Sequence, residues 1–117
     1  MSFLADALTL VVAALHGCFL VVEMFLWTTP RTRKAFGSSE QFAEASRVLA
    51  ANQGLYNGFL AAGLVWGVVG NQKDVTVFFL VCVVVAGVYG AATANRRILL
   101  VQALPAVLAL AAVLLSG

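Results

Sequence analysis

The stretch VTVFFLVCVVVAGVYGAATA, from Val75 to Ala94, decides the fold. It carries no charge. As a helix rising about 1.5 Å per residue, it covers about 30 Å, the hydrocarbon thickness of a bilayer. An open sheet in lipid would leave its edge groups unpaired, so helix is the reading. Working outward, three more apolar runs appear: about Phe3 to Trp27, Val48 to Val69 and Ile98 to Leu115. The spacers between them are short, which favours antiparallel neighbours. The sequence therefore predicts an all-α, integral membrane four-helix antiparallel bundle. It forms a single four-span domain over residues 1–117, with a cytoplasmic loop at 28–47.

Composition agrees. The chain is 62% hydrophobic and 10% charged, whereas a soluble domain carries about a quarter charged residues. So much apolar surface excludes a lone water-soluble enzyme. The net charge of +2, from 7 basic and 5 acidic residues, is too small to suggest nucleic acid. The N-terminal run is not read as a secretory signal: it lacks a basic start, carries Asp6, outruns a signal core and meets Glu23 near its end.

Basic residues fix a direction. Arg31, Arg33, Lys34 and Arg47 lie between or at the edges of the first two runs, and Arg96 and Arg97 lie between the last two. Only Lys73 falls in the remaining loop. Positive loops stay cytoplasmic, so both termini are expected outside a multi-pass protein of the cell inner membrane. Within the first loop, Pro30 is expected to end the first helix. Ser38 with Gln41 reads as a capping box, and Glu40 and Glu44 suit a helix start near Ser39. That start is a solvated helix face first and a partner-docking element second.

The polar residues sort by depth. Measured along each helix from the outer face, His16, Asn57, Tyr89 and Gln102 come out at about 18–21 Å. Glu23, Asn52, Gln53 and Thr93 come out at about 25–28 Å. Tyr56 shares a helical arc with Asn52 and Gln53. By contrast Phe59 to Val69, Val75 to Ala86 and Ala106 to Leu115 are nearly pure hydrocarbon. Gly63, Gly67 and Gly70 form a small-residue track that permits close helix approach. The expected picture is a tight outer half above a polar inner half, either a hydrogen-bonded plug or a pocket reached from the cytoplasm. His16, Glu23, Asn52, Gln53, Tyr56, Asn57, Tyr89, Thr93 and Gln102 are the candidate ligand-binding residues.

Each has a plainer reading. Glu23 either hydrates or pairs with Arg31 or Arg97, or works as a buried carboxylate. A neutral His16 bonded to Asn57 or Tyr89 would be structural, yet an ionisable group at that depth is by default functional. The amides serve equally as interhelical glue, and the tyrosines as packed rings. Pro105 is expected to kink the fourth helix and free a carbonyl near Gln102. Trp27 and Trp66 suit opposite membrane interfaces. Cys18 and Cys82 lie at different depths and read as apolar filler rather than a disulfide. The chain has no phosphate loop, histidine cluster or nucleophile elbow. No catalytic residue, metal or cofactor is assigned.

Three strings occur together: HGCFLVVEMFLW (His16–Trp27), ANQGLYNGFLAAG (Ala51–Gly63), and GVYGAAT (Gly87–Thr93) followed by VQALPA (Val101–Ala106). They resemble a family of small bacterial inner-membrane proteins catalogued as a domain of unknown function (number thirteen-oh-four). The resemblance implies a four-span membrane protein and brings no activity, substrate or catalytic residue. Three functions stay open. The first is binding or transport of a small amphipathic ligand in the inner-half pocket, with Glu23 or His16 as the titratable contact. The second is a structural or accessory subunit docking a second copy or another membrane protein. The third is a small membrane enzyme on a lipid-like substrate, with His16 as acid/base.

Overall fold

The computed structural model describes residues 1–116, which form five α-helices and no strand. These are α1 (Phe3–Phe25), α2 (Pro30–Phe36), α3 (Glu40–Val69), α4 (Lys73–Thr93) and α5 (Leu104–Leu115). A π-helical turn, Leu99–Ala103, leads directly into α5. By length and composition α1 and α4 are long and apolar enough to cross a membrane. The run Leu99–Leu115 is apolar but shorter. The chain divides into two compact units, one of residues 1–14 and 60–117, the other of residues 15–59.

In the first unit the core is made mainly of small side chains. Ala5, Ala13, Ala106 and Ala109 are buried with Val12, Leu64, Leu80, Val83 and Val113. Phe78, Val81, Val85, Val88, Leu104 and Leu108 are exposed instead. The glycines explain how the helices come so close. A Cβ on Gly63 would run into the Phe79 ring, and one on Gly87 would fall 2.8 Å from Ala103 Cβ and 2.9 Å from its backbone nitrogen. Gly67 faces the Thr76 hydroxyl in the same way.

The connection from α3 to α4 is a Schellman turn. Asn71 sits at φ +51°, Gln72 N–H donates to Gly67 O at 2.8 Å and Asn71 N–H to Val68 O at 3.1 Å. Asparagine is one of the few side chains that accept this left-handed position. Two contacts tie the chain ends to this turn: the Met1 amino group donates to Asn71 Oδ1 at 3.2 Å, and Lys73 Nζ donates to Ser116 O at 2.7 Å. After α4, Asn95 Oδ1 accepts from Arg97 N–H at 2.9 Å and starts the last helix. Pro105 follows the π-helical turn, in which Leu104 N–H reaches back to Leu99 O. Pro105 has no N–H for a carbonyl four residues earlier, so the helix widens ahead of it and continues.

In the second unit the first helix ends at Phe25, two residues before the expected limit, and the connector is not a plain loop. Thr29 caps α2, its hydroxyl oxygen accepting from Thr32 N–H at 3.4 Å, and Pro30 takes the first helical position. Gly37, at φ +66°, closes α2 with a second Schellman turn in which Ser38 N–H donates to Arg33 O at 2.9 Å. Pro30 thus begins a helix rather than only ending one. The start of α3 near Ser39 is as expected, with a shift in its cap. Ser39, not Ser38, supplies the oxygen, accepting from Phe42 N–H at 3.0 Å.

Candidate functional site

The second unit brings together two of the candidate residues, Glu23 and Asn57, in a pairing the sequence does not predict: Glu23 meets an amide and not Arg31 or Arg97. Leu20 and Glu23, three apart, share a face of α1, as Gly54, Asn57 and Gly58 do on α3. The two faces meet where α3 has no side chain. A Cβ on Gly54 would lie 2.7 Å from Met24 Cγ, 3.1 Å from Glu23 Cβ and 3.2 Å from Leu20 O, and one on Gly58 would lie 2.5 Å from Leu20 Cδ1. With the backbones this close, the short Asn57 side chain spans the gap, and its Nδ2 donates to Glu23 Oε1. Asn57 is buried and Glu23 half-buried. His16, further up α1, is fully buried, its ring edge-on to Phe19 with centroids 5.1 Å apart.

The junction below this pair is closed by aromatic and hydroxyl contacts. Trp27 Nε1–H donates to Ser46 Oγ at 3.0 Å, and the Ser46 hydroxyl donates to Phe42 O at 2.7 Å. The Trp27 ring also packs on Phe36, centroids 5.3 Å apart, so α1, α2 and α3 are joined through one side chain. Trp27 is therefore more than an interface marker.

The other candidates are placed differently. Asn52, Gln53 and Tyr56 are exposed on α3, Tyr56 packing edge-on to Phe59 at 6.1 Å. Tyr89 and Thr93 are exposed on α4, where the Thr93 hydroxyl donates to Tyr89 O at 2.7 Å. Gln102 is half-buried within the π-helical turn. Of the nine, the contact between Glu23 and Asn57 is the one described above. Cys18 and Cys82 are free thiols.

Sequence reasoning missed Gly54 and Gly58, although GLYNG carries a glycine pair four apart with an amide between them, a pattern that marks close helix contact. It also passed over buried hydroxyls: Thr76, in a stretch read as hydrocarbon, and Thr9, in the first apolar run. Thr9 and Thr76 are fully buried. The Thr9 hydroxyl donates to Ala5 O at 2.8 Å, while Thr76 Oγ1 and Asp6 Oδ1 are buried without a hydrogen-bond partner. Two open grooves run elsewhere, one along Lys73, Val77 and Val81 of α4, the other between Val88 and the Leu99–Val107 segment. None of the nine residues lines either.

The arrangement offers one chemical capacity. A carboxyl held by an amide, rather than by a cation, can exchange a proton or meet a positively charged group. Among the described residues the one ion pair is Glu44 with Arg47, at 3.2 Å on α3. No group of three His, Cys, Asp or Glu side chains suited to a metal lies together among them.

Comparison with known proteins agrees with the resemblance of the three strings. The family described as Protein of unknown function (DUF1304) matches residues 10–114. The Uncharacterized protein YpaA of Lactococcus lactis subsp. lactis (strain IL1403) is 31% identical over 114 residues, covering 94% of this chain and 96% of that protein. No solved structure matches.

Proposed function

We propose that this chain, which belongs to the DUF1304 family of proteins of unknown function, is a four-span inner-membrane protein that binds or transports a small amphipathic ligand. The membrane reading is supported by side-chain size. Seven of the twelve buried hydrophobic residues are alanines, while Trp66, many phenylalanines and most of the large leucines and valines of the helices face out. Lipid gives no hydrophobic reason to bury bulky groups, so membrane helices pack through small ones. Six basic residues on one side against Lys73 on the other support termini outside the cell.

The ligand reading rests on Glu23. It is an acidic group inside an apolar helix, and its hydrogen bond is to the neutral Asn57. Such a group is expensive in a bilayer unless it works. A ligand with a cationic end and an apolar body would replace the proton on Glu23, entering from the cytoplasm or the inner leaflet. Tetraphenylphosphonium is a suitable probe. Its binding to the protein in liposomes is expected to rise with pH, and Glu23→Gln is expected to remove that pH dependence. Binding unchanged in Glu23→Gln counts against the reading.

A second reading, an accessory subunit, is favoured by the exposed Asn52 and Gln53. Amides facing lipid are stabilised by a partner helix. A stoichiometric membrane protein co-purifying with the chain would support it, and a lone monomer would weaken it. The enzymatic reading has the least geometric support, because His16 is fully buried.

A further inference from the structure

We propose that α2 is a docking platform for the phosphate of an anionic phospholipid headgroup, held by Arg31 and Lys34. The inference rests on the membrane reading above and adds a ligand at a different place in the second unit. Its ground is the way the cations of this segment are divided. Arg33 Nε donates to Thr28 O at 3.2 Å and helps fix the turn between α1 and α2. Arg47 is paired with Glu44 on α3. Among the described residues Arg31 and Lys34 have no acidic partner, and both are exposed. They are three apart and so lie on one face of α2. Glu40, the remaining acid near the start of α3, is exposed and in no ion pair among the described residues.

The opposite face of α2 holds the helix in place. Thr32 is buried and Phe36 packs on Trp27, which is itself bonded to Ser46. Thr29 and Gly37 cap the two ends. A seven-residue helix would not persist alone in water, so these contacts account for its presence. They also present Arg31 and Lys34 from a fixed base directly after the apolar α1. Phe36, on that opposite face, and Phe42, in the first turn of α3, remain largely exposed, apolar groups suited to the acyl boundary where headgroups lie. Charge complementarity therefore selects an anionic headgroup, gripped by side chains and not by the helix end.

The test uses the full chain in nanodiscs of phosphatidylcholine with phosphatidylglycerol, reading the lipid retained after transfer to detergent by native mass spectrometry. One juxtamembrane cation is worth about fivefold in headgroup preference, so two give about 25-fold. Arg31→Gln and Lys34→Gln are each expected to lower the retained ratio about fivefold, and the double variant to abolish it. The charge-keeping pair Arg31→Lys with Lys34→Arg retains most of it. Arg96→Gln with Arg97→Gln removes the same charge from the other basic connection and is expected to lower the ratio clearly less than the Arg31 and Lys34 double variant does. An equal loss in that control means diffuse surface charge, and overturns the site. Stabilisation by inorganic phosphate alone, without lipid preference, overturns it as well. Extraction of the wild-type chain from membranes by alkaline carbonate would instead overturn the membrane reading itself.

Discussion

Asn57 donates its side-chain amide to the Glu23 carboxyl across the contact of α1 with α3. The two residues stand thirty-four apart in sequence, and Gly54 and Gly58 let the backbones come near enough for so short a side chain to reach. This bond has a measurable strength. Asn57→Leu leaves the carboxyl without its donor and is expected to cost about 1–3 kcal/mol in a reversible unfolding assay in detergent. Glu23→Gln keeps an acceptor and costs less. A double-mutant cycle should return a coupling of about 0.5–2 kcal/mol. Zero coupling would show that the contact does not hold the helices together.

The glycines predict a graded series. Gly17 has nothing within 4 Å of an added Cβ, so Gly17→Ala is expected to be neutral or to stabilise by up to about 1 kcal/mol through helix propensity. Gly58→Ala meets only the tip of Leu20 and should cost little, since that end can turn aside. Gly87→Ala meets the backbone of Ala103, and Gly67→Ala the backbone of Thr76. Both are expected to destabilise by about 1–3 kcal/mol. Thermal unfolding in one detergent ranks all four, and a Gly17→Ala loss as large as that of Gly87→Ala refutes the packing described.

Trp27 is predicted to matter through its nitrogen. Trp27→Phe keeps an aromatic ring against Phe36 and loses the donor to Ser46, for an expected cost of about 1 kcal/mol. Ser46→Ala removes the other end of the same bond, so the double variant should cost little more than either single. Faster proteolysis within residues 28–39 is the accompanying readout, because α2 is tied down through this tryptophan.

Much of this was legible in the chain, for reasons that differ by region. The positions of α1, α4 and the last helix follow from long, mostly apolar runs, and that of α3 from the apolar run after Val48 together with the start signal near Ser39. The α2 helix is hidden in the sequence because Pro30 reads first as a stop signal. Thr29 before it and Gly37 after it are a start and a stop of their own, and proline fits the first turn as well as it ends a previous one. Depth does not give the Glu23–Asn57 pair, because it sets Asn57 at about 18–21 Å and Glu23 at about 25–28 Å from the outer face; the sequence offers Arg31 or Arg97 to Glu23 and His16 to Asn57. Helical phase identifies a face without saying what covers it, however. Asn52 and Tyr56 share an arc with one another yet are exposed, whereas α1 packs on the face that carries Gly54, Asn57 and Gly58.

The proposed direction, with both termini outside, yields a direct prediction. Alkaline phosphatase fused after Ser116 should be active, and the same enzyme inserted between Gly37 and Ser38 should be inactive, with green fluorescent protein giving the reverse pattern. The opposite result at either position would reverse the assigned direction.

The wide turn at Leu99–Ala103 carries one residue more than the same length of α-helix would need. Removing a single residue there should therefore restore ordinary helical register rather than break the segment, leaving Ala106, Ala109 and Val113 seated where they are. A homologue shortened by one in this interval would be the natural version of that deletion, and the interval is where this architecture can absorb a change in chain length.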